Sequence, residues 1–238
     1  VALLTYRGLL TFVLRKGTVM EEQKTPKKQT NVLFDLIFYI AMPYLIWNQG
    51  REFIGDYYAI LLSTAPAFFY TIYKFVKERQ FNITGIFIVV SLLARTIIDL
   101  VSGEAERMLY NQVYFMFGLA LFFLVTVLIN KPMGMYFFGD TAQLMGYERK
   151  DIMTYLKEKD MYKMLRILTV LFSVRYGAVA VVKLWLINQY GVEGYGKMII
   201  VMQVINWIFT ILLGIYTYMI IRRLQDKTGD AENPNIQA

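Results

Sequence analysis

Long apolar runs alternate with short polar connections over most of this chain. Each run is about 18–25 residues long, enough to span roughly 30 Å of hydrocarbon. The pattern predicts six transmembrane helices, over residues 31–48, 56–74, 82–99, 111–130, 164–189 and 197–221. The expected fold class is therefore all-α, a polytopic membrane protein. Short connections join the first segment to the second, the third to the fourth and the fifth to the sixth, so the six helices should pair as three hairpins.

The remainder divides around that block. Residues 1–30 read as an N-terminal extension and tail, residues 31–222 as the six-helix domain, and residues 223–238 as a disordered tail. Within residues 1–19, Leu3, Leu4, Leu9, Leu10, Phe12, Val13 and Leu14 form an apolar patch with Arg7 inside it and Arg15 and Lys16 after it. A signal peptide carries its positive charge ahead of the apolar region. Met20 then opens a polar stretch, so residues 1–19 read either as an upstream extension or as an interfacial amphipathic helix.

The one long connection, residues 131–163, reads as an amphipathic loop. Lys131-Pro132 should end the fourth helix, because proline drives the preceding residue out of the α region. Asp140 or Thr141 suits the cap of a short helix, and Ile152, Tyr155 and Leu156 share one face of another. The loop either lies on the membrane surface or docks a partner.

Charge sets the orientation. The tail before the first segment, the connections after the second and fourth, and the tail after the sixth hold sixteen Lys and Arg, against three (Arg51, Arg107 and Lys197) in the alternate turns. Basic residues stay on the cytoplasmic side, so both termini are expected there. Tyr44, Trp47, Tyr57, Tyr58, Tyr110, Tyr114, Trp185 and Tyr190 fall near the opposite boundary, as an interfacial aromatic belt should.

Composition narrows the chemistry. The 238 residues are 57% hydrophobic, against about 45–50% in soluble domains, and contain neither Cys nor His. That removes disulfides, thiolate chemistry, Cys/His zinc sites and the commonest general acid–base group. The net charge of +7 marks cytoplasmic loops rather than a nucleic-acid surface, since it follows the topology. No Gly-rich phosphate loop and no metal-ligand spacing occurs, so no catalytic residue, cofactor or metal is expected.

The informative residues are charges inside apolar runs. Arg95 and Asp99 are four apart and stack on one helix face. Arg175 and Lys183 lie in the fifth segment, Gln203 and Asn206 in the sixth, and Asp35 one turn inside the first. An ionisable group in a membrane helix is costly and turns to the bundle interior. These seven residues are the candidate polar cavity or ligand-binding set. Together Arg95, Arg175 and Lys183 exceed Asp99 by two positive charges, which would favour an anion such as a lipid headgroup or carboxylate. The alternative is that the charges only pair with one another. Glu104, Glu106, Arg107 and Asn111 read as an external turn with a solvated ion-pair network. Pro43 and Pro66 should kink the first and second helices. Ser173/Gly177 and Ser63/Ala67 are small-xxx-small steps suited to close helix packing.

Four stretches also carry a resemblance: Asn31-Val-Leu-Phe-Asp35, Pro43-Tyr-Leu-Ile, Lys77-Glu-Arg-Gln-Phe-Asn-Ile-Thr-Gly85 and Ser102-Gly-Glu-Ala-Glu-Arg-Met-Leu-Tyr-Asn-Gln112. With Tyr190-Gly-Val-Glu-Gly-Tyr-Gly196 they resemble a group of bacterial multi-helix inner-membrane proteins loosely related to intracellular septation protein A. The resemblance covers roughly residues 30–222 and leaves out residues 1–19. It implies a bacterial plasma-membrane location and a link to envelope or septum assembly, and brings no catalytic residue, substrate or cofactor.

Two functions stay open. One is a structural or partner-binding membrane protein whose partners are lipids, another membrane protein or a second copy of itself. The other is a small transporter or lipid- or anion-binding protein that uses the embedded charges.

Overall fold

A computed structural model describes residue 34 and residues 36–77, 82–144 and 148–232. Among them every regular element is helical. A π-helical turn, Ile37–Ala41, leads into α1 (Met42–Lys77), followed by α2 (Ile83–Val101) and α3 (Ala105–Leu128). The short helices α4 (Met133–Leu144) and α5 (Arg149–Leu156) come next. Two long helices complete the chain, α6 (Lys159–Tyr190) and α7 (Tyr195–Glu232). Among the described residues, five helical stretches are long and apolar enough to cross a membrane. The described residues are thus all-helical in their regular elements, with the helices of a multi-pass membrane protein.

The first of those stretches, Ile37–Lys77, takes in the first expected segment from Ile37 onward and all of the second. It is not straight. Gly55 has φ 76° and ψ 163°, a region essentially closed to side chains with a Cβ. Beyond Gly55 the chain runs back along itself. The Phe38 and Tyr70 rings stack with centroids 4.6 Å apart, and the Tyr39 and Thr71 hydroxyls lie 3.1 Å apart. In an unbroken helix these residues would be separated by roughly 48 Å at about 1.5 Å per residue.

Both prolines lie within the helical stretch that contains Gly55. Pro66 lies inside α1, where Gly55 is the position with non-helical torsions. Pro43 has no N–H to bond Tyr39, and the helix ahead of it is widened instead: Met42 N–H bonds Ile37 O, five residues back. The reversal between the first two expected segments is made at Gly55.

Three reversals gather at one end of the bundle. Besides Gly55 they are Ser102–Glu104, where Gly103 has φ 73°, and the turn at Gly191 with φ 58°. The Tyr57 hydroxyl donates to Leu100 O at 2.8 Å, and Tyr110 donates to the Asn188 side-chain oxygen at 3.0 Å. Trp47 meets Tyr195 edge to face at 5.1 Å. The middle turn is shorter than expected. Helix α3 begins at Ala105, so Glu106, Arg107 and Asn111 are helical, and only Glu104 of that set remains in the connection. Arg107 lies 3.9 Å from Glu104 with both side chains well exposed, an ion pair of little energetic weight.

The opposite end is not a loose loop. Helix α3 ends at Leu128, and Asn130, just past its cap, has φ 55°. Lys131 N–H bonds Thr126 O and Asn130 N–H bonds Val127 O, the paired bonds of a Schellman stop. Helices α4 and α5 then pack Phe137, Phe138, Ile152 and Leu156 into one buried cluster with Phe123, Leu165 and Phe172. Gly134 is required where α4 meets α6. A Cβ there would lie 2.7 Å from Thr169 Oγ1 and 3.0 Å from Leu165 O. Asp140 does cap a helix, though not its own. Buried inside α4, its Oδ2 accepts from Thr84 N–H at 2.7 Å and from Thr84 Oγ1 at 2.8 Å, at the start of α2.

Candidate functional site

A cavity of about 290 Å³ lies between α1, α2, α3, α6 and α7. Six of the seven expected polar residues line it: Arg95, Asp99, Arg175, Lys183, Gln203 and Asn206. The seventh, Asp35, lies outside the described residues. Helix geometry explains the convergence. Arg95 and Asp99 are one turn apart on α2, Arg175 and Lys183 are two turns apart on α6, and each set therefore shares a face.

The charges fall into two groups. Nearer the three reversals, Asp99 is 2% exposed and its Oδ1 accepts from Gln112 Nε2 at 2.7 Å. The Lys183 ammonium donates to the Oε1 of the same Gln112. Gln112 thus stands between the buried acid and the buried amine, offering each the end of its amide that suits it. Arg95 Nε approaches Asp99 Oδ2 at 3.8 Å, and its side chain is 37% exposed. That distance is an ion pair but too long for a good hydrogen bond. The Tyr57 hydroxyl also reaches the Asp99 main-chain oxygen, at 3.2 Å.

Deeper along the helices, Arg175 is buried, and among the described residues no carboxylate is its hydrogen-bond or ion-pair partner. One terminal nitrogen donates to Asn206 Oδ1 at 2.9 Å, and the guanidinium carbon sits 5.0 Å from the Tyr176 ring centroid. Its Nε is buried with no hydrogen-bond partner. A buried guanidinium held by a neutral amide and a ring face retains its charge and one unused donor.

Three further members of the wall, Gln112, Ser63 and Tyr195, are not among the seven expected residues. Gln112 falls at the start of the expected fourth segment with no role assigned to it, and it faces the interior about two turns inside α3. Ser63 was read only as a packing residue, and Tyr195 as a residue of the last connection. Their hydroxyls lie 3.4 Å apart on the cavity wall. A polar side chain at helical spacing from buried apolar neighbours (Met108, Leu109, Val113) was the available signal for Gln112. The Ser173/Gly177 step, by contrast, behaves as packing: Ser173 donates to Ala120 O at 2.7 Å, and a Cβ on Gly177 would lie 4.0 Å from the Ala120 methyl.

Comparison with family models, curated proteins and solved structures finds no match to this chain.

Proposed function

We propose that this protein is a multi-pass membrane protein that binds a small anion in the cavity between its helices, as a transporter or ligand-binding protein. One observation carries the reading. The cavity wall brings three cations, Arg95, Arg175 and Lys183, against one carboxylate, Asp99, among the described residues. An uncompensated charge at membrane depth costs several kcal/mol, so a site that retains two of them is suited to a ligand that brings the counter-charge. A purely structural role accounts well for Asp99, Gln112 and Lys183, which satisfy one another. It leaves the unused donor of Arg175 without a purpose.

The membrane topology that fits this reading has six crossings, paired as three hairpins, with both termini cytoplasmic. The doubling back at Gly55 supports it, because it turns one long helical stretch into two arms of spanning length. The uneven distribution of Lys and Arg supports the orientation. Location in a bacterial plasma membrane, and any service to envelope or septum assembly, follow from the resemblance to the septation-protein-related group and form part of the same proposal.

The test is the melting temperature of the purified protein in phosphatidylcholine nanodiscs, with organic anions added at constant ionic strength. Stabilisation that disappears in Arg175→Gln is the expected result. Melting curves indifferent to every anion would refute the reading.

A further inference from the structure

We infer that the cavity selects a small dianion, a dicarboxylate or a phosphate monoester, held between Arg175 and Arg95. The inference rests on the anion-binding reading above and sharpens it to a ligand charge and size.

Asp99 and Lys183 are bridged by Gln112, so this level contributes one negative and one positive charge with its polar atoms engaged. Two guanidiniums remain. Arg175 is 5% exposed and has a buried Nε with no partner. Arg95 touches Asp99 only at 3.8 Å and is the most exposed of the four charged groups. It can therefore turn toward a ligand at small loss. A monoanion would leave one positive charge in a low-dielectric site, whereas a dianion closes the balance. Guanidinium forks also suit the paired oxygens of carboxylate and phosphate.

Spacing agrees. Helices α2 and α6 run toward the same end of the bundle, where Gln112 ties Asp99 to Lys183. Arg95 precedes Asp99 by four residues and Arg175 precedes Lys183 by eight, which places their backbones about 6 Å and 12 Å from that level. Along the helix axes the two arginines are thus offset by roughly one helical turn, about 6 Å, and both line the same cavity. The volume of about 290 Å³ lies at the lower end of the range for small-molecule sites, roughly 300–1,000 Å³. It admits a short acid or a headgroup and excludes a whole two-chain lipid.

A phosphate monoester could arrive as a soluble ester or as the headgroup of phosphatidic acid, and the experiment separates the two. The full-length protein in phosphatidylcholine nanodiscs is titrated calorimetrically with succinate, with butyrate as the monoanion of equal carbon number, and with glycerol 3-phosphate. A parallel sample carries phosphatidic acid in the nanodisc. The expected result is that succinate or glycerol 3-phosphate binds at least about tenfold tighter than butyrate. Arg95→Gln should erase that preference, and Arg175→Gln should abolish binding of all three, with Arg175→Lys as the variant that keeps the buried charge. Stabilisation by phosphatidic acid, with no response to the soluble dianions, supports the inference with a lipid as the source. Equal binding of succinate and butyrate overturns it while leaving an anion site in place. Absence of any anion binding overturns the site itself.

Discussion

The buried ammonium of Lys183 donates to the side-chain oxygen of Gln112. A neutral amide thereby tethers one end of a charge cluster whose other end is Asp99, 2.7 Å from the Gln112 nitrogen. Gln112→Leu should cost about 1–3 kcal/mol, since it strips two buried groups of a partner. Asp99→Ala should cost more, about 3–5 kcal/mol, because it leaves a buried cation uncompensated. Pairing Asp99→Ala with Lys183→Met should recover part of that loss. Melting temperatures in one nanodisc composition measure all three, and strictly additive losses in the double variant would contradict the coupling.

Gly55 holds a conformation that residues with a Cβ essentially do not adopt. Gly55→Val should destabilise the protein by about 1–3 kcal/mol. The reversal itself can be measured because the chain contains no native cysteine. Spin labels on Phe38→Cys and Tyr70→Cys should report a short distance, against roughly 48 Å for an unbroken helix.

Asp140 reaches from α4 to the first turn of α2, where it holds Thr84 through both the main chain and the hydroxyl. Arg149 lies 3.7 Å from its other oxygen. Asp140→Ala should cost about 0.5–2 kcal/mol as a lost helix cap. Faster hydrogen exchange at the Thr84 amide is the specific sign. Unchanged exchange there, with a lowered melting temperature, would mean that Asp140 acts only through packing.

Single cysteines at Glu104 and Glu158 address the crossings. With six spans the two positions face opposite sides of the membrane, so an impermeant thiol reagent applied to intact cells should label only Glu104→Cys. Labelling of both from outside would exclude the proposed topology.

Much of the fold was legible because hydrophobicity at membrane length is a local property. The runs around 82–99, 111–130, 164–189 and 197–221 each lie largely within one of the long helices α2, α3, α6 and α7. The ends were less legible. Asn111 looked like turn because it is polar, yet α3 begins at Ala105, since a helix can carry charge in its first turns outside the apolar stretch. Residues 131–163 read as an amphipathic loop with short helices, in which Ile152, Tyr155 and Leu156 share one face. Phe137, Phe138, Ile152 and Leu156 are nonetheless buried, and their partners lie on helices distant in sequence.

For the candidate site, the sequence by itself determined the cast and the charge imbalance. Arg95, Asp99, Arg175 and Lys183 had to face inward, because lipid cannot solvate them. Tertiary structure alone decided the pairing. Spacing along one helix put Arg95 beside Asp99, but only the packing of α3 against α2 and α6 inserted Gln112 between Asp99 and Lys183. Only the approach of α7 gave Arg175 an amide instead of a carboxylate. Periodicity fixes which face of a helix is buried, whereas partners across helices depend on relative depth and rotation, which no local pattern encodes.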